Sequence, residues 1–133
     1  MTAWQDILRV ANSVVVVGLS AKPWRASYSV AKYLKNSGYL IYGVNPEPRY
    51  PISGIPIYKS LSEVSQVDVI NVFRKSEDLE KLVDDICSLP WTPKICWFQL
   101  NMKLQPHEEY RLNKKGILVV KDKCLMVEHR LMY

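Results

Sequence analysis

The sequence predicts an α/β protein with a parallel sheet of five strands and helices on both of its faces. Short apolar runs alternate along the chain with longer segments that have helical periodicity. The first run, Val14 to Val17, consists of four β-branched residues, which is typical of a strand covered on both faces. The length of 133 residues suits one domain, residues 1–133.

The remaining elements follow from the same two patterns. A helix with Val30, Ala31 and Leu34 on one face follows the first strand. Thr2 is the expected cap of a short opening helix, and Trp97 is expected in the core. Two further segments have no clear periodicity: a proline-rich loop with a short extended piece at residues 55–58, and a tail from residue 121 that we expect to pack back on the domain. The predicted strands are residues 14–17, 40–44, 67–73, 94–100 and 117–120.

Composition and charge exclude several classes of protein. Hydrophobic residues at 48% and charged residues at 23% match a globular domain, and no apolar run approaches the ~20 residues of a membrane span. The net charge is +5, but the basic residues are spread along the chain, which argues against a nucleic-acid surface. The first ten residues lack a secretory pattern, so we expect a cytoplasmic protein.

The cysteines and histidines do not indicate a metal site. Cys87, Cys96 and Cys124 are odd in number and lack C-x-x-C spacing, which is typical of reduced thiols in a cytosolic protein. His107 and His129 are far apart in sequence and have no cysteine pair beside them. Neither a zinc site nor a disulfide framework is therefore predicted.

The turn after the first strand has the features of a phosphate site. Gly18 allows a tight turn, Ser20 supplies a hydroxyl, and Ser27 is the predicted N-cap of the following helix. Lys22 and Arg25 lie between them, so two cations would join the free N–H groups at a helix N-terminus. An anionic ligand such as a diphosphate is the first hypothesis. The alternative is that the glycine and the serines serve only to fold the turn.

Polar residues also follow the other predicted strands. Asn45 and Pro46 end the second strand, Arg74 follows the third, Gln99 ends the fourth, and Cys124 follows the fifth. Because ligands of open parallel sheets bind beyond the carboxyl ends of the strands, these residues are candidates for a shared site.

Two common nucleotide motifs are missing from this turn. Leu19 and Ser20 follow Gly18 where a dinucleotide fingerprint has a second glycine, and no carboxylate ends the second strand before Glu47. The chain also contains no G-K-S or G-K-T tripeptide of a P-loop. These departures disfavour NAD and nucleoside triphosphates.

The motifs taken together resemble the small stand-alone CoA-binding domain proteins. The resemblance covers residues 13–129, nearly the whole chain, and its motifs follow in the family's order. It rests on VVGLSAKPWRASYSVAKYL with its G-x-S-x-K-P-x-R-x-S-Y pattern, VNP at 44–46, VDVINVFR at 67–74, WFQL at 97–100 and the KDKCLMVEH ending.

The resemblance implies a Rossmann-type fold, similar to the N-terminal domain of the succinyl-CoA synthetase α subunit, with coenzyme A across the strand ends. Gly18, Leu19 and Ser20 would form the diphosphate turn, and Lys22 and Arg25 would bind the phosphates. The remaining cofactor-binding candidates complete or adjoin the walls of the site: Ser27, Tyr28, Val44, Asn45, Pro46, Phe73, Arg74, Gln99 and Cys124.

Several of these residues keep a structural alternative. Tyr28 either stacks on the ligand or packs against the loop, and packing is favoured. Arg74 either contacts ligand or pairs with a nearby carboxylate, and Gln99 is more often a hydrogen-bonding residue at a strand end. Cys124 is a hypothetical partner for a mixed disulfide with the CoA thiol. For His129, a structural role is favoured over a catalytic one.

Together with this resemblance, the residues predict a module that binds CoA or an acyl-CoA and has no catalytic residues of its own. One alternative is an enzyme that uses NADP or another nucleotide, with Lys22 and Arg25 on the ribose phosphate. A second is a regulatory subunit that senses CoA and docks on a partner protein or forms a homodimer.

Overall fold

The computed structural model describes residues 3–47 and 50–133, and their central feature is one fully parallel sheet. Its strands are β1 (Ser13–Val17), β2 (Leu40–Val44), β3 (Ile57–Tyr58), β4 (Val69–Val72), β5 (Ile95–Phe98) and β6 (Leu118–Lys121). They pair in the order β3-β2-β1-β4-β5-β6. This is the strand order of doubly wound, Rossmann-like sheets, and the direction of winding reverses between β1 and β4.

The prediction of five strands was wrong, because β3 adds a sixth at the edge of the sheet. It lies within the extended piece predicted for residues 55–58. The N–H of Gly43 donates to the carbonyl of Pro56 at 2.9 Å, and the N–H of Asn45 donates to that of Tyr58 at 3.0 Å. Two residues are too few to show a strand period, so only this backbone pairing identifies β3.

Helices cover both faces of the sheet, as predicted. The segments are α1 (Trp4–Val10), α2 (Ala26–Asn36), α3 (Leu79–Cys87), α4 (Pro106–Lys114) and α5 (Leu125–Leu131), with 3-10 turns at Leu61–Glu63 and Ser76–Asp78. The first face carries α1, α2 and α5, and the second carries α3 and α4. Thr2, the expected cap of the opening helix, and Pro48 of the proline-rich loop lie outside the described residues.

The four valines of β1 explain why this strand lies at the centre of the core. Val14 and Val16 pack on the α2 face, Val15 and Val17 pack on the α3 face, and all four are at most 1% exposed. Trp97 of β5 is also fully buried, as predicted, and its indole N–H donates to the carbonyl of Lys123 at 2.8 Å.

The tail packs back on the domain as expected, and it does so as helix α5. Leu125 is fully buried, and its N–H donates to Oε1 of Gln99 at 3.0 Å. A seven-residue helix has fewer than two full apolar repeats, which is why the sequence pattern did not predict it. Within the described residues, no helix is both long and apolar enough to cross a membrane.

Candidate functional site

The turn after β1 lies at the point where strand order reverses. The N–H of Gly18 donates to the carbonyl of Val44 at 2.8 Å, and the N–H of Phe73 donates to that of Val17 at 2.8 Å. Gly18 has a φ of +94°, and a Cβ at this position would overlap the carbonyl oxygen of Phe73. The tight approach of the first turn to the end of β4 therefore requires glycine.

Ser20 and Ser27 close the loop between β1 and α2. The N–H of Ser20 donates to Oγ of Ser27 at 3.0 Å, and Oγ of Ser20 accepts from the N–H of Lys22 at 3.1 Å. The prediction that Ser27 caps the helix was wrong: α2 begins at Ala26 with Arg25 in the cap position and no side-chain cap. The Ser27 hydroxyl is instead used to hold the loop.

A cleft of about 350 Å³ opens between this loop and the end of β4. Its walls include two exposed cations, Lys22 and Arg25, and no acidic side chain. The first N–H groups of α2 also open here, because the first turn of a helix leaves its donors without intrahelical partners. The lining residues are Gly18, Ser20, Lys22, Arg25, Ala26, Ser27 and Phe73. The cleft thus presents cations and N–H donors, a suitable environment for an anion.

Asn45 fixes this loop from the neighbouring strand. Its Nδ2 donates to the carbonyl of Leu19 at 2.7 Å, and its Oδ1 accepts from the N–H of Glu47 at 3.1 Å. Leu19 itself is fully buried in the core, so its backbone rather than its side chain shapes the turn. Val44 is buried as well and Pro46 is exposed. The side chain of Asn45 therefore supports the turn that the sequence analysis assigned to the site.

A second cleft of about 380 Å³ lies beside the first and shares Phe73 with it. Arg74 lines this cleft and is half-buried, and within the described part of the chain it forms no salt bridge with the carboxylates that follow it. Sequence reasoning named three of its lining residues and missed four, although their positions just after β4 and β5 were a usable clue. The four are Lys75, Asp78, Leu100 and Met102.

The family of the chain follows from comparison with known proteins. Residues 12–130 match the model of the CoA binding domain. The chain belongs to this CoA-binding domain family. This confirms the resemblance carried by the sequence motifs.

Relatives of this CoA-binding domain match it along nearly its full length. An uncharacterized protein of Bacillus subtilis strain 168, YneT, is 35% identical over 127 residues, covering 94% of this chain and 90% of the relative. The structure of cell-free ID.343 from Thermus thermophilus superposes with a TM-score of 0.90 and 31% identity, covering 98% and 96% of the two chains.

A larger protein contains the same fold. A dinucleotide-forming acetyl-coenzyme A synthetase from Ca. Korarchaeum cryptofilum matches with a TM-score of 0.67 and 22% identity. The match covers 86% of this chain and 27% of the synthetase. At this identity the likeness concerns the fold alone.

A buried polar network lies beneath the second cleft of the CoA-binding domain. Gln99 is 6% exposed, and its Oε1 accepts from Nδ2 of Asn71 and from the N–H of Leu125, both at 3.0 Å. Asn71 is fully buried, and its Oδ1 has no hydrogen-bond partner among the described residues. Gln99 therefore lines the cleft while it ties β4, β5 and α5 together. Asn71 was not among the predicted residues because it lies inside an apolar run.

Six predicted residues line neither cleft: Leu19, Tyr28, Val44, Asn45, Pro46 and Cys124. The Tyr28 hydroxyl is 2.6 Å from Oγ of Ser53, which belongs to the loop before β3. Cys124 is half-buried in the cap position of α5 and packs against the core on the α2 face. Neither residue lines the clefts around Gly18 and Arg74. Their contact with a ligand stays a prediction.

His129 lies at the opposite edge of the sheet from these clefts. It is 7% exposed, and its Nδ1 is 2.8 Å from the hydroxyl of Tyr33 near the end of α2. Burial lowers its pKa, which favours the neutral imidazole. Within residues 3–47 and 50–133, no group of three His, Cys, Asp or Glu side chains is arranged to hold a metal ion.

Proposed function

We propose that this domain binds coenzyme A, free or acylated, across the carboxyl edge of its sheet. The observation that carries the proposal is the cleft at the strand reversal, where the Gly18 turn, the start of α2 and two cations converge. CoA is a multiply charged anion with a diphosphate. The diphosphate would lie on the Gly18–Ser20 turn, with Lys22 and Arg25 donating charge-assisted hydrogen bonds to phosphate oxygens.

The residues of the cleft fit such a ligand. The first turn of α2 offers N–H groups without intrahelical partners, and Asn45 holds the Gly18 turn through the carbonyl of Leu19. Phe73 joins the two clefts, so a long ligand can continue past it toward Arg74. CoA has such a shape, because its pantetheine arm extends from the nucleotide.

Binding, rather than catalysis, is the proposed role of these residues. CoA supplies a thiol that carries acyl groups. The residues around Gly18 would bind and orient its phosphates, and no step of a reaction is assigned to them. If the thiol end reached Cys124, a mixed disulfide could form: two S–H bonds would break, one S–S bond would form, and an external oxidant such as a disulfide would accept the two protons and two electrons.

Calorimetric titration with CoA, acetyl-CoA, dephospho-CoA and NADP tests the proposal. We expect saturable binding of CoA and weaker binding of dephospho-CoA. The double substitution Lys22→Ala and Arg25→Ala removes two charge-assisted contacts. We expect the binding free energy for CoA to fall by ~2–4 kcal/mol, which is a roughly 30- to 1000-fold weaker affinity.

A matched control removes the same charge elsewhere. Lys114 and Lys115 are exposed at the end of α4, before β6 and hence away from the carboxyl edge. Their replacement by Ala should leave CoA affinity within about threefold, since long-range effects of exposed charges are screened. If NADP binds and CoA does not, the proposed ligand is wrong, but the assignment of the Gly18 turn as a phosphate site remains. Equal losses in both double variants, or no binding of any of the four compounds, would refute the proposal.

A further inference from the structure

A groove of about 540 Å³ lies at the amino edge of the sheet, away from the proposed CoA site. It is formed by the ends of α1 and α2, which precede β1 and β2, and by the end of α5. Its volume is within the range of small-molecule sites. The lining residues are Leu8, Arg9, Ala11, Tyr33, Ser37, Gly38, Tyr39, His129, Arg130 and Tyr133.

Aromatic rings form much of the wall. The ring of His129 meets those of Tyr33 and Tyr39 edge to face, with both centroid distances at 5.5 Å. The ring of Tyr133 lies 4.8 Å from it at an angle of 39°. Four rings grouped around one groove favour a flat, apolar ligand body, which can stack or pack edge to face with them.

The charged side chains of the groove are all basic. Arg9 and Arg130 line it, and none of its ten lining residues is an aspartate or glutamate. The guanidinium of Arg130 lies 5.4 Å from the centre of the Tyr33 ring, so it is held against the aromatic wall. Arg9 pairs with Asp6 at 3.0 Å, but both side chains are more than half exposed, and such pairs contribute little. An anionic group therefore has two cations within the same groove.

His129 adds a polar ring to this wall. Its Nδ1 is used by the Tyr33 hydroxyl, and Nε2 forms no hydrogen bond with the described residues. When Tyr33 donates to Nδ1, the ring proton is on Nε2, which is then a donor. The phenol of Tyr39 stays neutral, because burial raises its pKa to about 12, and its hydroxyl donates to the carbonyl of Leu8 at 2.8 Å.

We propose that this groove is a second ligand site, separate from the CoA cleft, for a small aromatic carboxylate. The ring of the ligand would pack among Tyr33, Tyr39 and Tyr133, and its carboxylate would face Arg130 and Arg9. This proposal does not depend on CoA binding, because none of the ten lining residues also lines the clefts at the carboxyl edge.

Titration with 2-naphthoate and its neutral amide, followed by amide chemical shifts, tests the proposal. We expect saturable binding of naphthoate, at least tenfold weaker binding of naphthamide, and shifts centred on residues 37–39 and 129–133. Arg130→Gln should weaken naphthoate at least fivefold and leave naphthamide unchanged. Arg130 is exposed, so this variant is expected to fold.

Arg111→Gln is the matched control, because Arg111 pairs with Asp84 on the other face of the sheet and does not line the groove. It should leave naphthoate affinity unchanged. A linear, non-saturating response, equal binding of acid and amide, or equal losses in the two arginine variants would overturn the proposal. The same samples titrated with CoA give a separate answer about the carboxyl edge.

Discussion

Gly18→Ala tests the central claim that the first turn needs glycine for both conformation and space. A left-handed φ costs an L-residue ~1–2 kcal/mol, and the stiffer unfolded chain of the alanine variant returns ~0.4–1 kcal/mol. At Gly18 the new Cβ also overlaps the carbonyl oxygen of Phe73, a backbone atom that cannot rotate away. Overpacking of this kind adds ~1–3 kcal/mol, so we expect a total loss of roughly 1–5 kcal/mol.

Gly38→Ala separates the two contributions. Gly38 has a φ of +104°, but a Cβ there would meet no atom within 4 Å. Urea unfolding followed by circular dichroism should therefore give a smaller loss for Gly38→Ala, about 1 kcal/mol. Typical domains have ~5–15 kcal/mol of stability, so both variants should remain folded enough to measure. If Gly18→Ala loses no more stability than Gly38→Ala, the crowding between the β1 turn and β4 is refuted.

Three further predictions concern other side chains. Burial lowers the pKa of His129, so the unfolded chain binds more protons than the folded chain just below pH 6.5. The free energy of unfolding should therefore fall as the pH decreases through that range. Urea unfolding curves from pH 7.5 to 5 should show a shallower fall for His129→Phe than for the unchanged protein. Cys96 is fully buried and burial raises its pKa, so a thiol reagent at pH 8 should label the other two cysteines first, and simultaneous labelling of all three would contradict this. Asn45→Ala removes the 2.7 Å hydrogen bond to the carbonyl of Leu19, so the free energy of unfolding should fall by ~0.5–1.5 kcal/mol in the same urea assay. An unchanged free energy of unfolding would show that other contacts hold the turn.

The sequence was sufficient where residue type alone determines position. Four consecutive valines favour a strand buried on both faces, and Gly18 after them allows a tight turn. Once the strands are parallel, their carboxyl ends share one edge, which is why Phe73, Arg74 and Gln99 line adjoining clefts.

The rest depends on contacts between distant segments. A serine can cap a helix or hold a loop. Ser27 holds the loop, because its Oγ accepts a hydrogen bond from the N–H of Ser20 across the turn. Helix α5 is tied to the sheet by the N–H of Leu125, which donates to Oε1 of Gln99, 26 positions earlier in the chain. The aromatic groove brings together three helix ends whose residues have ordinary types, so no local pattern predicts it.

The short strand β3 also determines how copies of this protein can meet. An exposed sheet edge is a template for pairing with another chain, and such pairing leads to aggregation. Here β2 is covered by only two residues, Ile57 and Tyr58, which follow Pro56 and precede Lys59. That border offers a second chain too little backbone for a stable ladder, since proline and lysine both discourage strand addition. Self-association through this side of the molecule must therefore use side-chain surfaces rather than an extended sheet.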